Sequence, residues 1–390
     1  MSVSEWREVR IGDIGDVVTG KTPSSKNPEY FGDEIPFVTP TDYKNYHKNI
    51  YSSERYLSQA GKEVLGNKLL PINSVIVTCI GSDMGKVAIN KVECITNQQI
   101  NSIILKRDLA DSDFIYYTLI SMQEYLKMLA RGGTTMPIVN KSTFEEIKLL
   151  LPPFPEQKAI AATLSALDDM IELNNQINKT LEEMAQAIFK SWFVDFEPFK
   201  DGEFEESELG LIPKGWKVGT FGEVAEITSG KRPVSKQDKE TPDFYVPLVG
   251  ASCIMGYVNE TLYNEPIIVI GRVGTHGIVQ RFNTQCWPSD NTLVIKSNHY
   301  EFAYQILKGI DYRAFNRGST QPLITQTDIK NYKIVIPDSY YLSRFEDTVK
   351  TLYKQYTVNN SESRLLERIR DMILPKLING EIRVPVEEVV

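Results

Sequence analysis

The chain repeats itself, and the repeat restricts its architecture more than any other feature. Trp6 to Ser25 (WREVRIGDIGDVVTGKTPSS) matches Trp216 to Ser235 (WKVGTFGEVAEITSGKRPVS) without a gap, aligning Gly12 with Gly222, Gly20-Lys21 with Gly230-Lys231 and Pro23 with Pro233. Gly133 to Pro152 (GTTMPIVNKSTFEEIKLLLP) matches Gly318 to Pro337 (GSTQPLITQTDIKNYKIVIP), again without a gap. Weaker counterparts lie between these blocks: Val75 to Gly81 against Ile267 to Gly274, and Cys94 to Leu105 against Cys286 to Ile295. A duplicated chain builds the same core twice. Within each copy, short β-branched and aromatic runs are punctuated by Gly, Pro, Asn and Ser, which predicts a mixed α/β domain of roughly 130–150 residues.

The second block runs on into a helical pattern in both copies. Ile160, Leu164, Leu167, Ile171, Asn174, Asn178, Leu181, Ala185, Ile188 and Trp192 recur at steps of four and three, as do Phe345, Val349, Leu352, Tyr356, Asn359, Ser363, Leu366, Arg370, Ile373 and Leu377. This spacing predicts two long helices, each with a heptad seam. Pro155 suits the first turn of the first helix and Pro198 is expected to stop it; Gly380 can end the second, with Pro375 expected to kink its last turns. Polar residues occupy equivalent seam steps, Asn174 with Asn359 and Asn178 with Ser363, where they set register and partner choice. We expect an α+β, tandem-duplicated chain in which two mixed α/β domains are separated by two long helices forming an antiparallel coiled-coil spacer.

The net charge of -8 is unevenly placed. Residues 151–210 hold 4 Lys+Arg against 13 Asp+Glu, so the rest of the chain is near neutral and leaves room for a local basic face. The run from Asp195 to Glu208 reads as a solvated linker. At 42% hydrophobic and 24% charged residues, disordered, collagenous and disulfide-scaffold classes are disfavoured. The N-terminal Met-Ser-Val-Ser-Glu-Trp has no basic region followed by an apolar one, and no apolar run approaches ~20 residues; a soluble cytoplasmic protein without membrane contact is expected. The 4 cysteines lack CxxC spacing and there are 3 histidines, so no zinc cluster is recognisable and metal is not expected.

Catalytic motifs fail on inspection. Gly81 to Val87 is one residue short of a phosphate-binding loop and has Val87 where a magnesium-binding hydroxyl belongs. Leu151-Pro-Pro-Phe154 has the outline of the N-P-P-[YF] site of adenine methyltransferases, but leucine cannot accept a hydrogen bond from an amino group. Glu146-Ile-Lys148 has no identifiable aspartate partner, and no nucleophile elbow is visible. What remains is a set of Gly-flanked polar loops. In the first copy these carry Lys21, Thr22, Ser24, Lys26, Thr41, Lys44, Ser82, Lys86, Asn97, Gln98, Gln99, Arg131 and Thr134. In the second they carry Lys231, Arg232, Ser235, Lys236, Arg272, Thr275, His276, Ser289, Asn291, Arg317, Ser319 and Gln321. Arg, Lys, Asn and Gln suit guanine and adenine edges, and Ser, Thr and Lys suit phosphates; ordinary protein surfaces carry the same residues.

The order of several separate motifs carries a specific likeness. A Trp-led domain is followed by Leu151-Pro-Pro-Phe-Pro-Glu-Gln157 and a helix ending Ile188-Phe-Lys-Ser-Trp-Phe-Val-Asp-Phe196; Leu211-Ile-Pro-Lys-Gly-Trp216 and a final Leu374-Pro-Lys-Leu-Ile-Asn-Gly380 come after. The whole resembles the specificity subunit of type I restriction-modification systems. The resemblance implies target-recognition domain 1 at 1–152, spacer helix 1 at 153–197, an acidic linker at 198–213, target-recognition domain 2 at 214–337, spacer helix 2 at 338–384 and a tail at 385–390.

It further implies a non-catalytic subunit that reads a bipartite, asymmetric site on double-stranded DNA. Its helices would dock modification subunits, two per chain, together with restriction subunits. S-adenosylmethionine, ATP and magnesium would then belong to those partners and no cofactor to this chain. The second helix opens with Pro337-Asp-Ser-Tyr-Tyr instead of a second P-P-x-x-E-Q, so the two docking sites are not identical. The alternatives are the recognition subunit of a related system with combined cleavage and methylation, and a duplicated protein-interaction scaffold that does not touch DNA.

Overall fold

The computed structural model describes residues 6–45, 48–81, 83–130, 138–273, 277–315 and 323–385. In the first copy the strands include β1 (Arg7–Arg10), β2 (Gly15–Thr19), β3 (Ile35–Val38), β4 (Asn49–Ile50), β5 (Val75–Thr78), β6 (Val87–Asn90), β7 (Ile95–Thr96) and β8 (Ile100–Leu105). Helices α1 (Ser112–Ser121) and α2 (Lys141–Glu145), strand β9 (Lys148–Leu151) and helix α3 (Phe154–Phe193) follow. A hairpin of β10 (Phe204–Ser207) and β11 (Gly210–Pro213) leads into the second copy. Its strands are β12 (Lys217–Thr220), β13 (Glu226–Ser229), β14 (Val246–Val249), β15 (Ile267–Gly271), β16 (Val279–Phe282), β17 (Trp287–Pro288) and β18 (Thr292–Lys296). Helices α4 (Tyr300–Gly309) and α5 (Gln326–Lys330), strand β19 (Lys333–Ile336) and helix α6 (Ser339–Ile378) complete it.

The contacts divide the chain into unit 1, residues 1–174 with 361–390, and unit 2, residues 175–360. Both helices of 40 residues therefore begin in one unit and end in the other. The duplication is visible in the register itself. β1 pairs antiparallel with β9 as Arg7 with Leu151, and β12 pairs with β19 as Lys217 with Ile336, the same residues under the two sequence alignments. Unit 1 holds a five-stranded sheet in the order β2-β8-β5-β6-β4, and unit 2 a four-stranded sheet β13-β18-β15-β16. In each, a short parallel pair flanks the sheet: β3 with β7, and β14 with β17. The sheet faces are continuous runs of Val and Ile, and one face packs on helices: Val75, Val77 and Ile103 lie with Phe114 and Leu164 in unit 1. In unit 2, Ile268, Ile270 and Ile295 lie with Phe302 and Phe345. Burial of such side chains contributes roughly 1.5–3 kcal/mol each.

A buried cation anchors the first turn of the packing helix in both units, supplied by different strands. In unit 1, Lys48 Nζ lies 2.5 Å from Asp113 at the start of α1 and donates to Ser165 of α3. In unit 2, Arg281 of β16 makes a bidentate pair of 2.5 and 2.7 Å with Glu301 of α4 and stacks 3.5 Å from the centroid of the Tyr353 ring. β4, the strand that Lys48 precedes, has no counterpart in the unit 2 sheet.

The Pro-Glu-Gln of the helix-opening motif is structural. Gln157, 1% exposed, accepts from the Asp111 backbone N–H and donates to the Leu109 and Pro152 carbonyls, tying the start of α1 to α3. Glu156 accepts from the Trp6 indole and, bidentately, from Arg383. In unit 2, Trp216 is held by aromatic rings instead: Phe199 lies 4.8 Å from it and Tyr341 4.7 Å from Phe199. Tyr341 stands where the second motif would place the glutamate, so the motif's absence there follows from a different closure.

Each unit contains an antiparallel stretch of the helix pair. In unit 1, Asp168 pairs with Arg370 at 2.8 Å and Asn174 with Glu362 at 3.0 Å. In unit 2, Asn359 donates to Asn178 at 2.9 Å, and Phe189 packs on Phe345. Ile160, Leu164, Ile171, Asn174, Asn178, Ala185, Phe345, Val349, Asn359, Ser363, Leu366 and Leu377 are buried, and Leu167, Leu181, Ile188, Trp192, Leu352, Tyr356, Arg370 and Ile373 half-buried. Two expectations require correction. α3 ends at Phe193, before Pro198, because Asp195 N–H closes onto the Lys190 carbonyl and Phe196 turns left-handed at φ 52°. α6 runs through Pro375 to Ile378 and ends ahead of Gly380, whose φ of 77° suits the helix end that the sequence placed there. The run from Asp195 to Glu208 keeps its carboxylates in solvent, but it is not a featureless linker: β10 and β11 form a hairpin, Ile212 beyond it is buried in the unit 2 core, and Phe196 and Phe199 pack with Trp216.

Candidate nucleic-acid interface

In both units the polar loops leave one end of the sheet, and the strand register explains why. Thr19 faces Asn101 across β2 and β8, while Ile100 faces Thr78 across β8 and β5, so the segments after Thr19, after Thr78 and before Ile100 emerge side by side. The Lys21 N–H donates to the Thr96 carbonyl and the Asn97 N–H to the Val38 carbonyl, which adds the loops beginning at Gly20 and Thr39 to the same end. In unit 2 the Lys231 N–H donates to the Pro288 carbonyl, the Ser289 N–H to the Val249 carbonyl and the Arg272 N–H to the Asn291 carbonyl. A glycine is required at the crossing. A Cβ on Gly20 would stand 2.2 Å from the Asn97 carbonyl oxygen, and one on Gly230 2.2 Å from that of Ser289.

The structure brings Thr22, Asn97, Gln98 and Gln99 together in unit 1. The Thr22 hydroxyl lies 2.6 Å from Gln98 Oε1, and Asn97 accepts from the Gln99 N–H while donating to its Oε1. Lys21, Ser24 and Lys26 are exposed on the first loop, and neither lysine has an ion-pair partner among the described residues. Lys44 and Lys86 are neutralised instead, by Glu54 at 3.0 Å and Asp83 at 2.6 Å; Thr41 bonds Thr39. In unit 2, Lys231, Arg232, Ser235 and Lys236 are exposed on one loop, and its three cations have no ion-pair partner among the described residues. Trp287 fastens that loop by donating to the Lys231 carbonyl at 2.7 Å. Ser289 is 1% exposed, and both its Oγ and the Arg272 Nε are buried without a hydrogen-bond partner among the described residues. Ser82, Arg131, Thr134, Thr275, His276, Arg317, Ser319 and Gln321 lie outside the described residues.

Sequence reasoning passed over Asp290. It is exposed between Ser289 and Asn291, in the turn that aligns with Asn97-Gln98-Gln99, and the repeat alignment was the signal that could have found it.

Other chemistry is disfavoured by geometry. Glu146 pairs with Arg10 at 3.0 Å and Lys148 with Glu8 at 2.8 Å, so they serve different partners. Gly81 to Lys86 leads into strand β6 and not into a helix, and Leu151 is 1% exposed. Burial pushes the Cys79, Cys94 and Cys286 thiols up to about 12, which keeps them protonated and unreactive. Among the described residues no helix is long and apolar enough to cross a membrane. A cavity of 1150 Å³ in unit 2 lies at the other end of the sheet, beside Glu226, Lys296 and Arg281. Its walls mix carboxylates with lysines, which suits helix anchoring better than a polyanion.

The family model described as type I restriction modification DNA specificity domain matches residues 3–183 and 213–367. The MjaIX specificity subunit of a type I restriction enzyme from Methanocaldococcus jannaschii is 36% identical, covering 97% of this chain and 94% of its own length. The HindI specificity subunit from Haemophilus influenzae is 24% identical over 97% of this chain and all of its own. The crystal structure of a type I restriction-modification S subunit from M. genitalium shares the fold, with a TM-score of 0.61 at 19% identity over 97% of each chain. Two tandem matches to one domain model, on two copies of one sheet, leave a single assignment: the chain belongs to the type I restriction-modification DNA specificity subunit family.

Proposed function

We propose that each unit reads one half of a split, asymmetric sequence on double-stranded DNA, with the loop cluster at its sheet end as the reading surface. One observation carries this reading. The same scaffold presents the same loops twice, with unpaired lysines and arginine suited to phosphates, while the turn residues differ, Asn-Gln-Gln against Ser-Asp-Asn. Two different heads on one chain fit an asymmetric bipartite site as a symmetric dimer fits a palindrome.

The helices carry the partners. On α3, Met170, Leu173, Ile177 and Met184 are exposed at steps of three, four and seven, and on α6 so are Val358, Leu365, Ile369 and Met372 at steps of seven, four and three. An apolar stripe opposite a filled seam accepts another helix. One stripe per helix suits two modification subunits per chain, with restriction subunits joining that assembly. Methyl transfer from S-adenosylmethionine and ATP- and magnesium-dependent cleavage belong to those partners, and this chain is non-catalytic by itself. The test is co-expression with the neighbouring modification subunit, followed by methylome sequencing. Methylation at one bipartite sequence, lost when either component is omitted, is the expected result. Methyl transfer by rigorously partner-free chain would overturn it, and DNA binding insensitive to salt would favour a scaffold that does not meet phosphates.

A further inference from the structure

We propose that the middle residue of the turn entering strand β8 in unit 1 and β18 in unit 2 selects one base in each half-site: Gln98 an adenine, and Asp290 a cytosine. The inference rests on the reading that these loops meet DNA bases, and it names which residue reads which base.

The two turns are the same structure. Lys21 N–H to the Thr96 carbonyl and Lys231 N–H to the Pro288 carbonyl are both 2.9 Å, and the turns close by Ile100 N–H to Asn97 and Thr292 N–H to Ser289, at 3.2 and 3.0 Å. A Cβ on either Gly20 or Gly230 would stand 2.2 Å from the first carbonyl oxygen of its turn. Equivalent backbones present equivalent side chains, and both middle residues are exposed. What differs is their hydrogen-bonding capacity.

Gln98 is held in place, because its Oε1 accepts the Thr22 hydroxyl at 2.6 Å. The amide keeps a second lone pair on that oxygen, and its Nε2 has no hydrogen-bond partner among the described residues. One acceptor beside one donor is the complement of the adenine edge, which offers the N6 amino group and N7. Asp290 has neither ion pair nor hydrogen bond to its side chain among the described residues, although its loop neighbours include Lys231 and Arg232. A carboxylate only accepts, and beside a polyanion it is tolerated where it meets an amino donor. Cytosine N4 supplies that donor in the major groove, whereas the N6 of adenine sits next to the N7 acceptor, which repels a carboxylate.

The experiment uses the full chain assembled with its modification subunit, and reads base preference by binding selection from a duplex library randomised across the recognised site. Asp290→Asn should turn one cytosine of one half-site into adenine, and Gln98→Glu one adenine of the other half-site into cytosine. Each preference should change by about tenfold or more. Asp290→Ala should leave that position unselective. Variants that melt like the wild type yet keep its preference at every position overturn the proposal, as does a change in both half-sites together. Equal loss of binding to all sequences also counts against it, since phosphate contacts carry the general affinity. A wild-type complex that binds all sequences alike would instead remove the underlying reading of the loops.

Discussion

Glu346 shows how much a single side chain can depend on its surroundings. It sits on α6 and accepts the backbone N–H groups of Glu301 and Phe302 at the start of α4, at 3.1 and 2.9 Å. Burial raises its carboxyl to about 7, the two N–H groups oppose the rise, Glu301 adds to it, and Arg281 works against it. A folded-state value above the ordinary carboxylate range means that the fold prefers the protonated form. The cost of ionising Glu346 is absent below the ordinary value, grows as pH climbs toward about 7, and is full above that. Glu346→Gln keeps one of the two acceptors for the helix start, at any pH, and removes the pH-dependent cost of the charge. We expect its melting temperature to exceed the wild type's by a few degrees at pH 8 and by clearly less at pH 5, measured by thermal denaturation. An equal gain at both values would show that burial of the charge is not the cause. None of this was legible in the sequence, where Glu346 is one charged residue in a helical pattern; its environment comes from α4, some forty residues earlier. Gln98 and Lys231 were legible as polar loop residues, because Gly20 and Gly230 flagged the turns. Asp290 was not, because an acid in a surface loop looks the same whether or not a sheet end presents it.

At the scale of elements, the heptad seams were readable, since their spacing follows from helix geometry alone. Which seam residues meet was not. The sequence aligns Asn178 with Ser363, but helices running in opposite directions bring Asn178 to Asn359, and Asn178 also donates to Asn360 at 3.0 Å. Ser363, by contrast, is 7% exposed with a hydroxyl that has no partner among the described residues. A buried amide pair of this kind is costly to halve. Asn178→Leu strands the Asn359 amide and should destabilise the chain by about 1–3 kcal/mol in urea or guanidinium unfolding. Adding Asn359→Leu removes the stranded group and should recover most of the loss, because two leucines fill a seam layer well. Additive losses in the two single and the double variants would mean that the two amides do not depend on each other. The hairpin at 203–213 was illegible for a different reason. Its acidic residues face solvent and dominate the composition, while Ile212 and Trp216, which bind it to the core, are few.

For the whole molecule, the duplication carried most of what could be inferred, since the two sequence alignments reappear as identical strand pairs at Arg7–Leu151 and Lys217–Ile336. The likeness of order among separate motifs pointed to the family, and within it the Pro-Glu-Gln motif ties α3 to its own unit. The continuous helices leave a mechanical consequence to test. α3 and α6 each run 40 residues, about 60 Å at 1.5 Å per residue, and each enters both units. If they set the gap between half-sites, a heptad added to α3 near Asn178 with a matched heptad in α6 near Ser363 keeps the apolar seam and lengthens the spacer by about 10 Å. That is close to three base pairs at ~3.4 Å each, with a rotation of about 100° around the duplex at ~10.5 base pairs per turn. Methylome sequencing should then return both half-sites unchanged, separated by a longer unread gap. A folded variant that still methylates DNA at the original gap would show that the distance is set elsewhere.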